Sequence, residues 1–306
     1  METQIFRSAG LVELPLLVSA GMPAGFRHGF TTRQGGVSAP PFDSLNLGWK
    51  WGDARACVDE NHRRLLAASG AAVMVRASQV HGIRILRVGR GDDPIAVGAE
   101  RADGLVSDEP GLALSIHVAD CTPILMACPR TRACAALHAG WRGTVAGMAR
   151  AGVEAMVSNF GCRPQELHVA LGPCIGPCCF EVGSEVVDAF MAAMPAAWRI
   201  GVFLAAAERG TRIDLRAFQR LELEAAGVLH ENIDTSTDCT LCDPDGRFYS
   251  FRGAGRVTGQ SVGFILRAPA TDGRPLDVDQ RSEFRPKPTT VGREALADHR
   301  RLRKVK

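Results

Sequence analysis

The residues best able to do chemistry gather between Gln79 and Thr144. Three strings stand out: Gln79-Val80-His81-Gly82, Ala119-Asp120-Cys121-Thr122-Pro123, and Leu137-His138-Ala139-Gly140-Trp141-Arg142-Gly143-Thr144. His81, Cys121 and His138 supply two imidazoles and one thiolate, a ligand set that suits a catalytic zinc with its fourth position open to water. The three lie far apart in the chain, so spacing alone leaves two buried histidines and an inert cysteine as an equal reading. Asp120, beside Cys121, is a candidate to orient a ligand or move a proton. After His138, Gly140 and Gly143 free the backbone, Arg142 offers a guanidinium fork, and a helix is expected to start near Thr144. A helix start plus a guanidinium makes an anion site, most simply for phosphate. A strand–turn–helix with a surface arginine is the plain alternative. Nearer the N-terminus, the glycine-containing loop 29–38 carries Arg33, a candidate substrate grip, and Leu45-Asn46-Leu47-Gly48 follows. A second sulfur-rich pair of segments comes later. Cys174 and Cys178 lie in a tight loop, and Cys239-Thr240-Leu241-Cys242 has the C-x2-C spacing of half a zinc site. Those four could form a structural four-thiolate site, with buried thiols as the default.

The elements that must position these residues follow from periodicity and punctuation. Helices are expected over 53–68, with Asp53 as cap and Gly70 just past the end, and over 144–159, 184–194 and 214–226. In the last of these, Leu215, Phe218 and Leu221 share one face. Strands are expected over 83–88, 112–118, 133–138, 168–171, 248–251 and 262–266. Alternation in 112–118 puts Leu112, Leu114, Ile116 and Val118 on one face and His117 on the other. Each candidate His or Cys therefore falls at a strand end, where a rigid strand can aim it into a loop-lined cleft. Strands and helices are not evenly interleaved, so the pattern reads as an α/β or α+β single domain with mixed sheets rather than a doubly wound sheet. Residues 1–267 are expected to form this domain. Residues 268–306 read as a basic, solvated and disordered tail, with five Arg or Lys among the last seven positions.

Composition removes several function classes. The 306 residues are 46% hydrophobic and 23% charged, which is globular and neither fibrous nor low-complexity. No run approaches the roughly 18 apolar residues of a membrane span. The apolar stretch 11–20 is broken by Glu13 and Pro15 and lacks a basic leader, so no export signal is read and a cytoplasmic location with reduced thiols is expected. Ten cysteines in a chain this long are not a disulfide scaffold. A net charge of +3 and a single tyrosine leave little for nucleic-acid binding. The expected partner is a small molecule, with neither nucleic acid nor membrane, and the oligomeric state is open.

Taken in order, the strings 29–38, 45–48, 79–82, 102–108, 119–123, 137–143, 171–183 and 239–252 resemble the laccase-domain family, also called YfiH-like. Its members carry polyphenol oxidase or purine nucleoside phosphorylase labels. The resemblance covers about residues 26–267 and departs from the family pattern at Gly253 and Gln260, at one edge of the substrate pocket. It implies stacked α/β/β/α layers and a zinc at His81, Cys121 and His138, with copper as the alternative metal. The candidate substrate contacts are Arg33, Asn46 and Arg142. The implied activity is phosphorolysis of adenosine, inosine, guanosine and methylthioadenosine, with deamination of adenosine. Another branch of the same resemblance implies a cysteine hydrolase that edits peptidoglycan precursors, with Cys121 as nucleophile. A multicopper oxidase mechanism fits poorly, because it draws on His-x-His pairs and the eight histidines here form none. A cytidine-deaminase zinc site is absent too, since the chain has no His-x-Glu.

Overall fold

Apolar side chains on both faces of the longest strands set the layering. In the computed structural model, which describes residues 1–7, 13–195, 198–205, 210–255 and 257–269, every residue of strand Leu112–Val118 is buried. Leu112, Leu114 and Ile116 point into one apolar cluster and Ala113 into another. The same division runs through Thr122–Ala127, where Leu125 and Ala127 face one cluster and Ile124 and Met126 the other. Strands covered on both faces must lie inside a stack.

The stack consists of two six-stranded sheets with helices outside. The first runs, edge to edge, Glu2–Arg7, Glu13–Val18, Phe26–Thr31, Ser261–Arg267, Leu112–Val118 and Val73–Val75. All its pairings are antiparallel except the last. The second runs Ile233–Thr235, His168–Leu171, Thr122–Ala127, Cys134–Ala139, Gly104–Ser107 and Ile85–Arg87. Its two outermost pairings are parallel and the inner ones antiparallel. Phe30, Leu114 and Ile116 of the first sheet meet Leu105, Leu125 and Ala136 of the second in the central core. Helix Arg55–Ser69 covers the outer face of the first sheet through Leu65 and Ala68. Helix Met148–Phe160 covers the second through Met148, Val153 and Met156, joined by Leu223 of helix Leu215–Ala225. Gly152 lets that helix settle onto Leu137 and Met126, atoms that any Cβ would strike. The order is helix, sheet, sheet, helix, as the family resemblance implies. A small antiparallel sheet of Glu181–Val182, Thr211–Ile213 and Phe203–Ala205 adjoins a fourth cluster around Phe190 and Phe218.

Several expected elements take a different form. The helix expected over 144–159 is two pieces, Trp141–Val145 and Met148–Phe160, because Gly147 adopts φ +90° between them. Helix Arg55–Ser69 has Ala54 rather than Asp53 at its N-cap. The Asp53 carboxylate instead accepts bonds from Ser38 Oγ at 2.6 Å and Asn46 Nδ2 at 2.9 Å, pinning two loops together. The strand expected over 248–251 does not form. Ser250 accepts from Gly253 N–H and caps a short helix, Phe251–Ala254. Ile85–Arg87 is shorter than expected, and Gly70 closes its helix in the left-handed region at φ +67°, as glycine permits. Met1–Ala270 is one compact unit. From residue 270 on, the expected tail lies outside the described residues. Among the described residues no helix is long and apolar enough to cross a membrane.

Candidate functional site

The site forms where the chain passes from one sheet to the other. Strand Leu112–Val118 belongs to the first sheet and Thr122–Ala127 to the second, and the connector between them holds Asp120 and Cys121. Asp120 takes φ +87° to make this reversal. Its carboxylate accepts from Thr240 Oγ1 and from the Arg252 backbone N–H, both at 2.6 Å, and its carbonyl accepts from Ile175 N–H at 3.0 Å. Asp120 thus anchors the connector to two other loops.

His138 is the penultimate residue of Cys134–Ala139, three per cent exposed, so the sheet fixes its direction. His81 reaches the same place from a loop, at φ +62°. That loop is clamped at both ends. The Gln79 side chain donates to the His117 carbonyl and accepts from its N–H, each at 2.8 Å. Asp103 holds the other end: its buried carboxylate accepts from the backbone N–H groups of Val80, His81 and Gly82. The same carboxylate bonds His138 Nδ1 at 2.8 Å, leaving Nε2 of that ring to face the site.

The result brings the donor atoms of His81, Cys121 and His138 within 4.8 Å of one another. Cys121 Sγ lies 3.9 Å from His81 Nε2, and the two imidazoles meet edge to face with centroids 4.9 Å apart. Gly140 closes one side; a Cβ there would come within 2.9 Å of Cys121 Sγ and 3.0 Å of His81 Cδ2. Cys121 and His138 each favour the charged form of the other. Burial disfavours the Cys121 thiolate, but His138 and His81 outweigh it and bring the thiol down to about 6. Burial likewise opposes the His138 imidazolium, yet Cys121 and Asp103 raise it to about 9. Burial alone would push Asp103 up, but its bonds from His138 and Gly82 hold it below the usual carboxylate range. Two nitrogens and a sulfur at this spacing, with a carboxylate on the far side of one imidazole, match the donor chemistry and supporting shell of a zinc site.

The other expected site residues are placed differently. Arg33 is engaged by Asp43 at 2.9 Å and lies over the Tyr249 ring. Asn46 is buried and spent on Gly48, Asp53 and the Gln260 N–H. Arg142 is exposed, its guanidinium over the ring of Trp141 at 4.3 Å. The helix after His138 begins at Trp141, three residues earlier than expected. Asp103 was not singled out among the candidates; its only trace in the sequence is an acidic residue between Ala102 and Gly104 within 102–108, since its bonds to residues 80–82 are tertiary. The cysteine cluster also differs from expectation. Cys178, Cys179, Cys239 and Cys242 converge, whereas Cys174 is fully buried with its thiol directed to the Ile175 carbonyl.

A family model described as multi-copper polyphenol oxidoreductase laccase matches residues 27–268. The chain belongs to this family. Among curated members of the laccase-like family, the purine nucleoside phosphorylase YlmD of Geobacillus stearothermophilus is 37% identical over 255 residues, covering 80% of this chain and 91% of the relative. The purine nucleoside phosphorylase YfiH of Escherichia coli is 38% identical, covering 79% and 94%. The human purine nucleoside phosphorylase LACC1 is 37% identical over 262 residues, but the match spans only 58% of its length. The crystal structure of YlmD superimposes with a TM-score of 0.76 at 35% identity, covering 87% of this chain and 99% of that one. YlmD, which carries an enzyme's name, thus shares this fold over nearly its whole length.

Proposed function

We propose that this protein is a zinc-dependent purine nucleoside phosphorylase, converting adenosine, inosine, guanosine or methylthioadenosine and phosphate to the free base and ribose 1-phosphate. The observation that carries the reading is the convergence of His81, Cys121 and His138, braced by Asp103, in a chain whose relatives bear that enzyme's name. These three side chains would hold the zinc, which when bound supplies Lewis-acid polarisation or an activated water. Asp103 fixes the His138 tautomer and orientation. The Asp120 bonds fix where Cys121 sits. Arg142, exposed and lying over the Trp141 ring, offers its guanidinium fork to phosphate. In phosphorolysis a phosphate oxygen bonds ribose C1′ as the glycosidic bond breaks and its electron pair leaves with the purine, so a guanidinium that orients phosphate lowers the barrier by positioning. Arg33, held by Asp43, would face the nucleoside, while Asn46 shapes its loop from within. Deamination of adenosine to inosine and ammonia would be a second reaction of the same centre.

Zinc-loaded protein incubated with adenosine and phosphate should yield adenine and ribose 1-phosphate, with inosine as the deamination product. If none of the three forms, the reading fails. Arg142→Ala should raise KM for phosphate while leaving the zinc in place.

One observation favours a second reading. Cys121, His138 and Asp103 also stand in the order of a nucleophile, base and orienting acid, with the thiol drawn down to about 6. This suits a cysteine hydrolase acting on peptidoglycan precursors. Stoichiometric alkylation of Cys121 in metal-replete protein would favour it; protection of Cys121 by metal would favour the phosphorylase.

A further inference from the structure

Apart from the trio, a second set of soft donors comes together at the opposite end of the Asp120 contacts. Cys178 and Cys179 come from the loop that follows strand His168–Leu171, and Cys239 and Cys242 from the loop that follows Ile233–Thr235. All four Sγ atoms lie within 4.8 Å of one another, and Cys178 and Cys242 approach to 3.3 Å. A tetrahedral zinc with four bonds of about 2.3 Å places its sulfurs about 3.8 Å apart, inside the range spanned here. A disulfide would use two of these sulfurs, at about 2.05 Å, and leave the others without a role.

The surroundings are those of a metal knuckle. Gly176 donates its N–H to Cys239 Sγ at 3.2 Å, the kind of outer-shell bond that orients a thiolate ligand. A Cβ at Gly176 would come within 3.1 Å of Cys178 Sγ and 3.2 Å of Cys239 Cβ, so a larger residue there would press on the cluster. Thr240 N–H bonds the Cys174 carbonyl at 3.0 Å and ties the two loops into one bridge. Cys178 and Cys242 are exposed, which gives an ion a way in, while Cys239 is buried beneath them. Four thiolates select zinc over magnesium or calcium.

We propose that Cys178, Cys179, Cys239 and Cys242 bind a second, structural zinc, distinct from the His81–Cys121–His138 centre. Its task is positional. The two loops it joins are the ones that grip Asp120, through Ile175 N–H and Thr240 Oγ1. Fastening them together holds the residue beside Cys121, so the four-cysteine knot acts as a buttress for the reactive connector.

Cobalt titration of the reduced, metal-free full chain tests this without reference to catalysis, because thiolate-to-cobalt charge-transfer absorption grows with the number of thiolates bound. In a Cys121→Ser chain, one cobalt should still bind and give a four-thiolate spectrum. In a chain carrying Cys121→Ser and Cys242→Ser, that spectrum should collapse while circular dichroism stays folded, since Cys242 is on the surface. Wild-type protein should take up two zinc ions per chain. The proposal is overturned if the Cys121→Ser chain binds no cobalt, if Cys242→Ser leaves the spectrum unchanged, or if the isolated chain holds a Cys178–Cys242 disulfide and a single zinc. Because the readout is metal content, its failure would leave the phosphorylase reading standing, and absent phosphorolysis would leave the buttress standing.

Discussion

Replacing Asp103 by asparagine changes almost no volume and removes one charge from the most heavily used carboxylate of the site. Oδ1 serves His138 Nδ1 and His81 N–H, each at 2.8 Å, and Oδ2 serves Gly82 N–H at 2.8 Å. Val80 N–H shares both oxygens at 3.1–3.2 Å. An asparagine can keep one oxygen for His138 and His81, but its NH2 then faces the N–H of Gly82, donor against donor. One charge-assisted bond is lost and one half-buried donor is left bare, together about 3 kcal/mol. With a urea slope of roughly 3 kcal/mol per M for a domain of this size, the midpoint of the metal-free protein should fall by about 1 M. The slackened His138 should also weaken zinc binding by about 10–100-fold, the usual effect of removing a ligand's supporting partner. Urea unfolding of the metal-free chain and a zinc competition titration measure the two effects separately. An Asp103→Asn chain with an unchanged midpoint and unchanged zinc affinity would refute the view that this carboxylate builds the site.

Cys121→Ser should lose zinc from the trio yet remain folded, because an open three-ligand centre does not hold up a core this large; metal analysis beside urea unfolding checks both. Zinc held by the trio should weaken as pH falls, since protons compete for one thiolate and two imidazoles; a competition titration at several pH values shows the trend. Gly140→Ala drives a methyl to within 2.9 Å of Cys121 Sγ, and the strain of about 1–3 kcal/mol should appear as lost zinc affinity and phosphorolysis. His28 accepts the Ser19 N–H through Nε2 and is held down to about 4 by burial, against the countervailing charge of Asp234. Between that value and 6.5 the unfolded chain takes the proton first, so stability is full above 6.5 and falls as pH drops through the window, by up to about 3 kcal/mol. His28→Gln, which keeps an acceptor, should flatten the urea midpoint between pH 6.5 and 4.

The trio was visible in the sequence because His138 lies near the end of an apolar strand and Cys121 sits in a turn. What joined them was not. Gly104–Ser107 and Thr122–Ala127 are apolar on both faces and show no alternation, so neither announced itself as a strand. Asp103 looks like any acid beside a glycine until residues 80–82 fold over it. Arg247 illustrates the opposite case. Its bonds to Asp238 and Asp243 organise the loop ahead of Phe248, and this tertiary network overrides the β-like run that suggested a strand. The cysteine knot was half legible: the spacing of Cys239 and Cys242 was informative, but the choice of Cys179 over Cys174 depends on which side of a tight loop each thiol emerges.

Strand Ser261–Arg267 lies between Phe26–Thr31 and Leu112–Val118, near the middle of the first sheet. The ribosome delivers it last among the described strands. Until then Phe26–Thr31 and Leu112–Val118 have no partner between them, and the inner faces of both sheets have no closed cavity to fill. The second sheet needs nothing beyond Thr235 and can assemble while synthesis continues. Birth of the protein therefore has an order: the half that carries His138 comes first, and the half that seals the core comes only once residues 261–267 have been made. A nascent chain stopped short of residue 261 would expose two strand edges, an invitation to aggregation that the finished molecule never offers.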